Sequence, residues 1–424
     1  MIALLKSWLG SRARLLVLAS LVVVAYAGAM NRAPGLLWFI AALLLATLIV
    51  GLAWPRWLVS RLSVSRRGPE RAEEGEMVSF QVVVRNRGFL PRFMVELIDH
   101  LPFVGASLGA PNAGVSTLGM ISYVPGGGTR QFEMPLLCEK RGFYQLGPVG
   151  LASSFPLGLA EARQMRNEGV HGLTVYPAVF PITEMCLRGS PSQIHRGGYL
   201  LPEGSGAAEF SGLREYRQGD NPRHVHWPTT ARMNELMVKQ FEPLASACLY
   251  LVLDLASDAN VGAGRHATLE YAARIAGSIA RFACSHNIRV RMSGAGKRPV
   301  DVDSGSGAGQ YQRLLDELAV VDSDGATPYA GVLEEVAMRV SNGETVVLFL
   351  SQKAAESTDI FQALTLLRAN RAHLYAVVFD RGSFLDAPTA ADAQADTVTA
   401  VLQELDAYCL RVRRGDDLVQ LFNA

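Results

Sequence analysis

Two uncharged apolar stretches near the amino terminus constrain this chain more than any other feature. "LLVLASLVVVAYAGAM" occupies residues 15–30 and "LLWFIAALLLATLIVGLAW" residues 36–54. A helix that spans a bilayer needs roughly 20 apolar residues, with about 17 the usual lower end. The first stretch is marginal by that measure and the second comfortable. The short gap "NRAPG" holds a proline, which predicts a helical hairpin. Lys6, Arg12 and Arg14 precede the hairpin, Arg56, Arg61, Arg66 and Arg67 follow it, and the gap carries Arg32. That asymmetry predicts both ends on the cytoplasmic side. Trp38, Trp54 and Trp57 fall where indoles anchor at the membrane interface. A cleaved signal peptide is the alternative, from the basic start and "AYA" before Gly28. The second stretch, so close behind, favours an anchor.

The remainder of the 424 residues is enough for two or three domains. The net charge of +1 provides no broad basic field to attract nucleic acid. Cys138, Cys186, Cys248, Cys284 and Cys409 are scattered, with no metal-ligand or disulfide spacing. They fit a reducing compartment, where thiols pack as small hydrophobes.

Residues 61–185 read as a β-sandwich. "MVSFQVVVRNRG" alternates Val78, Phe80, Val82 and Val84 before a turn, and "RFMVELIDHLP" is expected to be its partner strand. "GGGTRQFEMPLL" puts Phe132, Met134 and Leu136 on one face. Residues 186–246 hold a Gly/Ser/Pro-rich loop and then a charged segment. From 247 to 424 apolar strands alternate with helices: "CLYLVLDL", a helix over 268–285, "IRVRMSG", helices over 311–320 and 329–340, "TVVLFLS", a helix over 359–368, "HLYAVVFD", a helix over 397–407 and "CLRVRR". That order predicts a doubly wound, largely parallel sheet, with ligands bound beyond the carboxyl ends of its strands. Asp254 and Ser351 occupy two such ends.

The charged segment is "EFSGLREYRQGDNPRHVHWPTTAR", residues 209–232. Three chemistries are open to it. In an enzyme, Glu215, Asp220, His224 and His226 would supply acid, base or metal ligands. In a strut, the guanidiniums of Arg214, Arg217, Arg223 and Arg232 would pair with Glu215 and Asp220, with Trp227 as an apolar anchor. In a docking surface, Tyr216 and Trp227 beside arginines would form an interface hot spot. No Ser/His/Asp arrangement, phosphate loop or H-E-x-x-H occurs in the sequence, so a chain without catalysis is expected.

The same segment resembles a widespread bacterial family catalogued as domain of unknown function fifty-eight. The residues that carry the likeness are Glu209, Phe210, Gly212, Arg214, Tyr216, Gly219, Asp220, Arg223, Trp227, Ala231 and Arg232. "LMVKQFE", "VYPAVFPI" and "RGFYQLGPVGLASSFPLGL" extend it, with Phe155 where an aspartate is usual, and it covers most of the chain from about Gly75. The resemblance implies a membrane-anchored protein with a domain similar to von Willebrand factor type A and no established enzymatic activity. It also implies a MoxR-type AAA+ ATPase as partner in protein assembly or maturation, at the bacterial cytoplasmic membrane. The type A fold often holds Mg²⁺ through D-x-S-x-S, a later threonine and a further aspartate. Here Asp254, Asp258 and Thr327 match that set in part, Ala256 offers no oxygen, and Ser351-Gln352 stands where Asp-Gly is usual. The expectation is therefore a multidomain protein: an anchor over 1–60, the sandwich, the charged motif, and the type A-like domain over 247–424. It acts as a scaffold or adaptor, with a metal-dependent adhesion module and a hydrolase as the alternatives.

Overall fold

Both apolar stretches are helical in a computed structural model, which describes residues 2–32, 35–99, 116–165, 169–185, 208–216, 225–233, 235–243, 248–341, 343–351, 357–386 and 395–423. Helix α1 (Ile2–Arg32) and helix α2 (Gly35–Val59) pack on each other, with Tyr26 edge-on to Trp38 at 5.6 Å. Their apolar spans, Ala13–Asn31 and Gly35–Val59, are 19 and 25 residues long. At 1.5 Å per residue these measure about 28 Å and about 37 Å, against a hydrocarbon core of about 30 Å. Leu16, Val17, Leu36 and Phe39 all point outward. A core helix of a globular unit would bury them, so both helices have the length and surface suited to a bilayer.

The chain divides into two compact units, Met1–Tyr176 and Pro177–Ala424. In the first, α2 continues past residue 54 and packs onto the β-strands that follow. Gly51 lies so close to Leu159 that an added Cβ would meet its Cδ1 at 2.6 Å. Trp57, near the end of α2, lies 3.8 Å beneath the guanidinium of Arg92.

The strands of this unit are β1 (Leu62–Arg67), β2 (Arg71–Glu73), β3 (Met77–Asn86), β4 (Arg92–Asp99), β5 (Ser116–Val124), β6 (Thr129–Leu137), β7 (Gly142–Leu146), β8 (Gly150–Ser153), β9 (Ala162–Met165) and β10 (His171–Tyr176). They form sheets ordered β1-β3-β6, β2-β10-β7 and β5-β4-β8-β9. Strand β3 alternates as its sequence demands, burying Val78, Phe80, Val82 and Val84. Its partners, however, are β1 and β6, not β4, which crosses to pair with β5 and β8. Val82 and Val84 pack with Val95, Leu97, Ile121 and Leu151 in one core, and Phe80 joins Met134, Leu146, Leu173 and Val175 in a second. Sheets packed face to face over apolar cores are what the alternating sequence predicts. A buried ion pair, Arg66 with Asp99, ties β1 to β4.

The sandwich was expected to run to residue 185, but its strands end at Tyr176. Phe180 packs on Phe422 in the core of the second unit, and the Asn423 side chain accepts from the Thr183 amide and donates to the Pro181 carbonyl. The second unit then holds β11 (Ala208–Glu215), α3 (Trp227–Met233), β12 (Met237–Pro243), β13 (Cys248–Leu253), α4 (Thr268–Ser285), β14 (Arg289–Gly294), β15 (Val300–Gly305), α5 (Gly307–Val320), α6 (Tyr329–Arg339), β16 (Thr345–Leu350), α7 (Ser357–Ala369), β17 (His373–Phe379), α8 (Arg381–Phe384), α9 (Ala395–Glu404), β18 (Tyr408–Val412) and α10 (Leu418–Phe422). Strands β13 to β18 form one sheet, ordered β15-β14-β13-β16-β17-β18. All neighbours are parallel except the edge strand β15, which is antiparallel. Strand β16 shows why its sequence is apolar throughout. Val347 and Phe349 face α4 and α5, while Val346, Leu348 and Leu350 face α6 and α7.

Among the described residues Cys138, Cys248, Cys284 and Cys409 are free thiols. Burial pushes the thiols of Cys138, Cys284 and Cys409 up to about 11 from the usual 9.0. A raised folded value means that their contribution to stability is intact below about pH 9 and is lost as pH climbs through about 11. Cys138 and Cys284 are expected to resist alkylation at neutral pH over a time in which the denatured chain is fully labelled. Mass spectrometry after iodoacetamide checks this; labelling of the native protein at the denatured rate would contradict the packing.

Candidate functional site

The second sheet reverses its winding between β13 and β16, where open α/β sheets form a ligand crevice beyond the carboxyl ends. Asp254 follows β13 directly and is buried, and its Oδ1 accepts the Ala256 amide at 3.1 Å. Beneath it the buried Tyr329 hydroxyl donates to the Val252 carbonyl at 2.8 Å and accepts the Phe349 amide at 3.3 Å. Burial, and secondarily the Asp254 carboxylate, push that hydroxyl well above its ordinary value. Thr327 is brought to the same edge by a bridge between Ala256 and Gly325. The Gly325 amide donates to the Leu255 carbonyl at 2.9 Å, and the Gly325 carbonyl accepts from Ser257 at 3.1 Å. Glycine is required there, because a Cβ would meet the Ala295 carbonyl oxygen at 2.1 Å. Gly325→Ala is expected to cost about 1–3 kcal/mol by forcing the loops apart. Urea unfolding of the variant measures this, and an unchanged midpoint would show that the loops are not so closely joined.

The sequence placed Asp254, Asp258 and Thr327 at one metal site. The fold does carry all three at the carboxyl edge, but Asp258 and Thr327 are exposed and Ala256 presents a methyl group. The Ser351 hydroxyl donates to the Ala259 carbonyl at 2.9 Å. The corner also holds a cation that the sequence reading did not single out. Buried Arg381 donates from Nη1 to the Ala259 carbonyl at 2.7 Å and the Ser351 carbonyl at 2.8 Å, and from Nη2 to the Asp258 carbonyl at 3.2 Å. Magnesium demands near-octahedral oxygens, and a neighbouring guanidinium opposes a dication electrostatically. These residues do not fit a magnesium site of the expected kind. The one signal for Arg381 was its position, directly after the apolar strand "HLYAVVFD".

The charged motif is a separate small structure. Strands β11 and β12 pair antiparallel, Glu209 opposite Glu242, Phe210 opposite Phe241, Gly212 opposite Gln240 and Arg214 opposite Val238, with a bulge between Phe210 and Gly212. The Tyr216 amide donates to the Leu236 carbonyl at 2.8 Å. Helix α3 is fastened to β12 by the Met237 amide on Thr230 Oγ1 at 3.0 Å and by the His226 amide on the Met237 carbonyl at 2.8 Å. His226 Nδ1 lies 2.8 Å from Thr229 Oγ1, which gives its ring a structural partner. Arg217, Gly219, Asp220, Arg223 and His224 lie outside the described residues.

Trp227, the apolar anchor of the strut reading and an aromatic of the docking reading, is 66% exposed. Met233 and Leu236 are exposed as well, with Tyr216 at the margin and Arg232 beside them. Large apolar side chains left in water on one short segment have the character of an interaction surface.

Residues 212–390 match the model of a family described as "Protein of unknown function DUF58". The likeness to DUF58 is confined to that segment. The match starts inside β11 and ends beyond α8, so the DUF58 segment contains most of the charged motif and the carboxyl edges of β13, β16 and β17. No curated protein matches the chain. Solved structures similar to parts of it include the CARDB domain of a Pyrococcus furiosus protein, at 12% identity over 27% of this chain and 86% of that one, with a TM-score of 0.20. Proximal thread matrix protein 1 from the mussel byssus is similar at 12% identity over 42% of this chain and 46% of that one, with a TM-score of 0.31. The DUF58 segment also contains an open depression lined by Thr365, Arg368, Ala369, Arg371 and His373. It lies at the amino end of β17, opposite to the end where such sheets bind ligands.

Proposed function

We propose that this chain is a membrane-anchored, non-enzymatic scaffold or adaptor that works with a MoxR-type AAA+ ATPase in protein assembly or maturation. In this reading α1 and α2 hold it in the bacterial cytoplasmic membrane, with both globular units on the cytoplasmic side. The α/β unit is similar to von Willebrand factor type A, a reading supported by the strand order and by the antiparallel edge strand β15. The observation that carries the docking reading is the exposure of Trp227, Met233 and Leu236 on a segment otherwise fastened by hydrogen bonds. Aromatic and arginine side chains in such a setting form interface hot spots, and an acidic groove on a hexameric ATPase is the complementary surface. The hydrolase alternative has less support. His226 is engaged with Thr229, and Glu215 stands exposed on a hairpin.

The test is crosslinking in native membranes followed by purification of the full chain. Recovery of an AAA+ ATPase of the MoxR type is the expected result. Its absence, with the chain itself recovered from the membrane fraction, would remove the partner. Recovery of the chain from the soluble fraction would remove the anchor.

A further inference from the structure

We propose that the guanidinium of Arg381 takes the place of the divalent cation at the β13–β16 corner, so that the carboxyl-edge loops of the α/β unit are held without metal. The inference goes beyond the scaffold reading and does not depend on it. A metal ion at such a corner joins loops that are distant in sequence by drawing their oxygens to one centre. Arg381 does this here with hydrogen bonds. It reaches residues 258 and 259 after β13 and residue 351 after β16 from its own position after β17, so one side chain links the ends of three strands. A planar fork of donors suits several carbonyls at once, which a lysine ammonium on its flexible stem does not.

The surrounding groups are adapted to that arrangement. Ala256 places a methyl group where a ligand oxygen is expected, and its amide is taken by Asp254 Oδ1. The Ser351 hydroxyl turns to the Ala259 carbonyl, the same atom that Arg381 Nη1 binds at 2.7 Å. Arg381 is 6% exposed, so it works as an internal brace and is not offered to a ligand. Asp380, next to it, faces the other way and pairs with Arg411 at 2.9 Å and Arg413 at 3.2 Å. The consequence is that whatever meets this edge does so without a metal ion to complete its coordination, and chelators leave the contact intact.

The test uses the full chain in detergent micelles with Mn²⁺ as the probe, read by the fall of the free-ion electron paramagnetic resonance signal and by thermal melting. Wild type is expected to take up no Mn²⁺ that depends on Asp254, and to melt alike in Mn²⁺, Mg²⁺ and EDTA. Arg381→Ala is expected to melt about 5 °C lower or more, and Arg381→Lys to fall between the two. The triple variant Ala256→Ser, Ser351→Asp, Arg381→Gly is expected to gain about one equivalent of Mn²⁺ uptake, as the guanidinium leaves and oxygens enter. Uptake of one equivalent by wild type that is lost in Asp254→Ala would overturn the proposal. So would Arg381→Ala and Arg381→Lys both melting as wild type does.

Discussion

Asp99→Ala is expected to destabilise the amino-terminal β unit by about 3–5 kcal/mol, the usual result of stranding one charge of a buried pair. Both partners are fully enclosed, with side-chain exposures of 0% for Arg66 and 0% for Asp99. Burial already draws the Arg66 guanidinium down to about 10, so the enclosed charge strains against its desolvation even in the native chain. Removing the carboxylate leaves that cost without compensation. The pair also spans two sheets, because β1 belongs to one and β4 to the other. Its loss therefore loosens the packing of sheet on sheet as well as a local contact. Replacing both partners together, Arg66→Met with Asp99→Leu, is expected to restore most of the loss, since an apolar pair of similar volume bears no desolvation penalty. Urea unfolding of the three variants beside wild type measures both effects. A loss under about 1 kcal/mol in Asp99→Ala would mean that water reaches the pair.

Trp227→Ala is expected to weaken partner binding by at least about 30-fold, corresponding to a hot-spot loss of roughly 2 kcal/mol or more. Folding should be untouched, because the indole is already in solvent. Surface changes of that kind usually stay within about 0.5 kcal/mol. The two readouts separate the strut from the docking surface. A strut residue would lose stability on truncation, and a docking residue would lose only binding. Arg232→Glu is expected to act in the same direction through slower association, with a dependence on salt that Trp227→Ala lacks.

Much of this architecture is legible in local patterns. Strand β3 reads correctly because its alternation of valines with polar residues is the physical requirement of a strand with one face buried. Strands β13 and β16 read correctly because a strand covered by helices on both faces must be apolar throughout. Pairing was less legible. Strand β4 follows β3 closely and looks like its hairpin partner, yet it joins another sheet, a choice made by tertiary packing. Strands β11 and β12 were not read as a hairpin, because each has few apolar residues and the two are separated by the rest of the charged stretch. Strand β15 alternates two valines with aspartates, too weak a pattern to stand out beside its neighbours.

The site was legible in position more than in role. Asp254 and Ser351 could be placed at strand ends because apolar runs stop there. Arg381 was invisible in its role, because its acceptors lie 122 and 30 residues away, and a basic residue after a strand looks like any surface charge. Trp227 was open in the sequence between an anchor and a docking residue, and its exposure favours the second. Composition says that an indole seeks an apolar partner, and it does not say whether the partner belongs to the same chain.

In the proposed function an aromatic surface on the charged motif docks a MoxR-type ATPase at the membrane. One measurement tests it most directly: crosslinked capture from native membranes with wild type and Trp227→Ala side by side, each checked by its melting curve. The account predicts the ATPase with wild type, its loss with Trp227→Ala, and superimposable melting. Equal capture by the two proteins, or no ATPase with wild type, would contradict it.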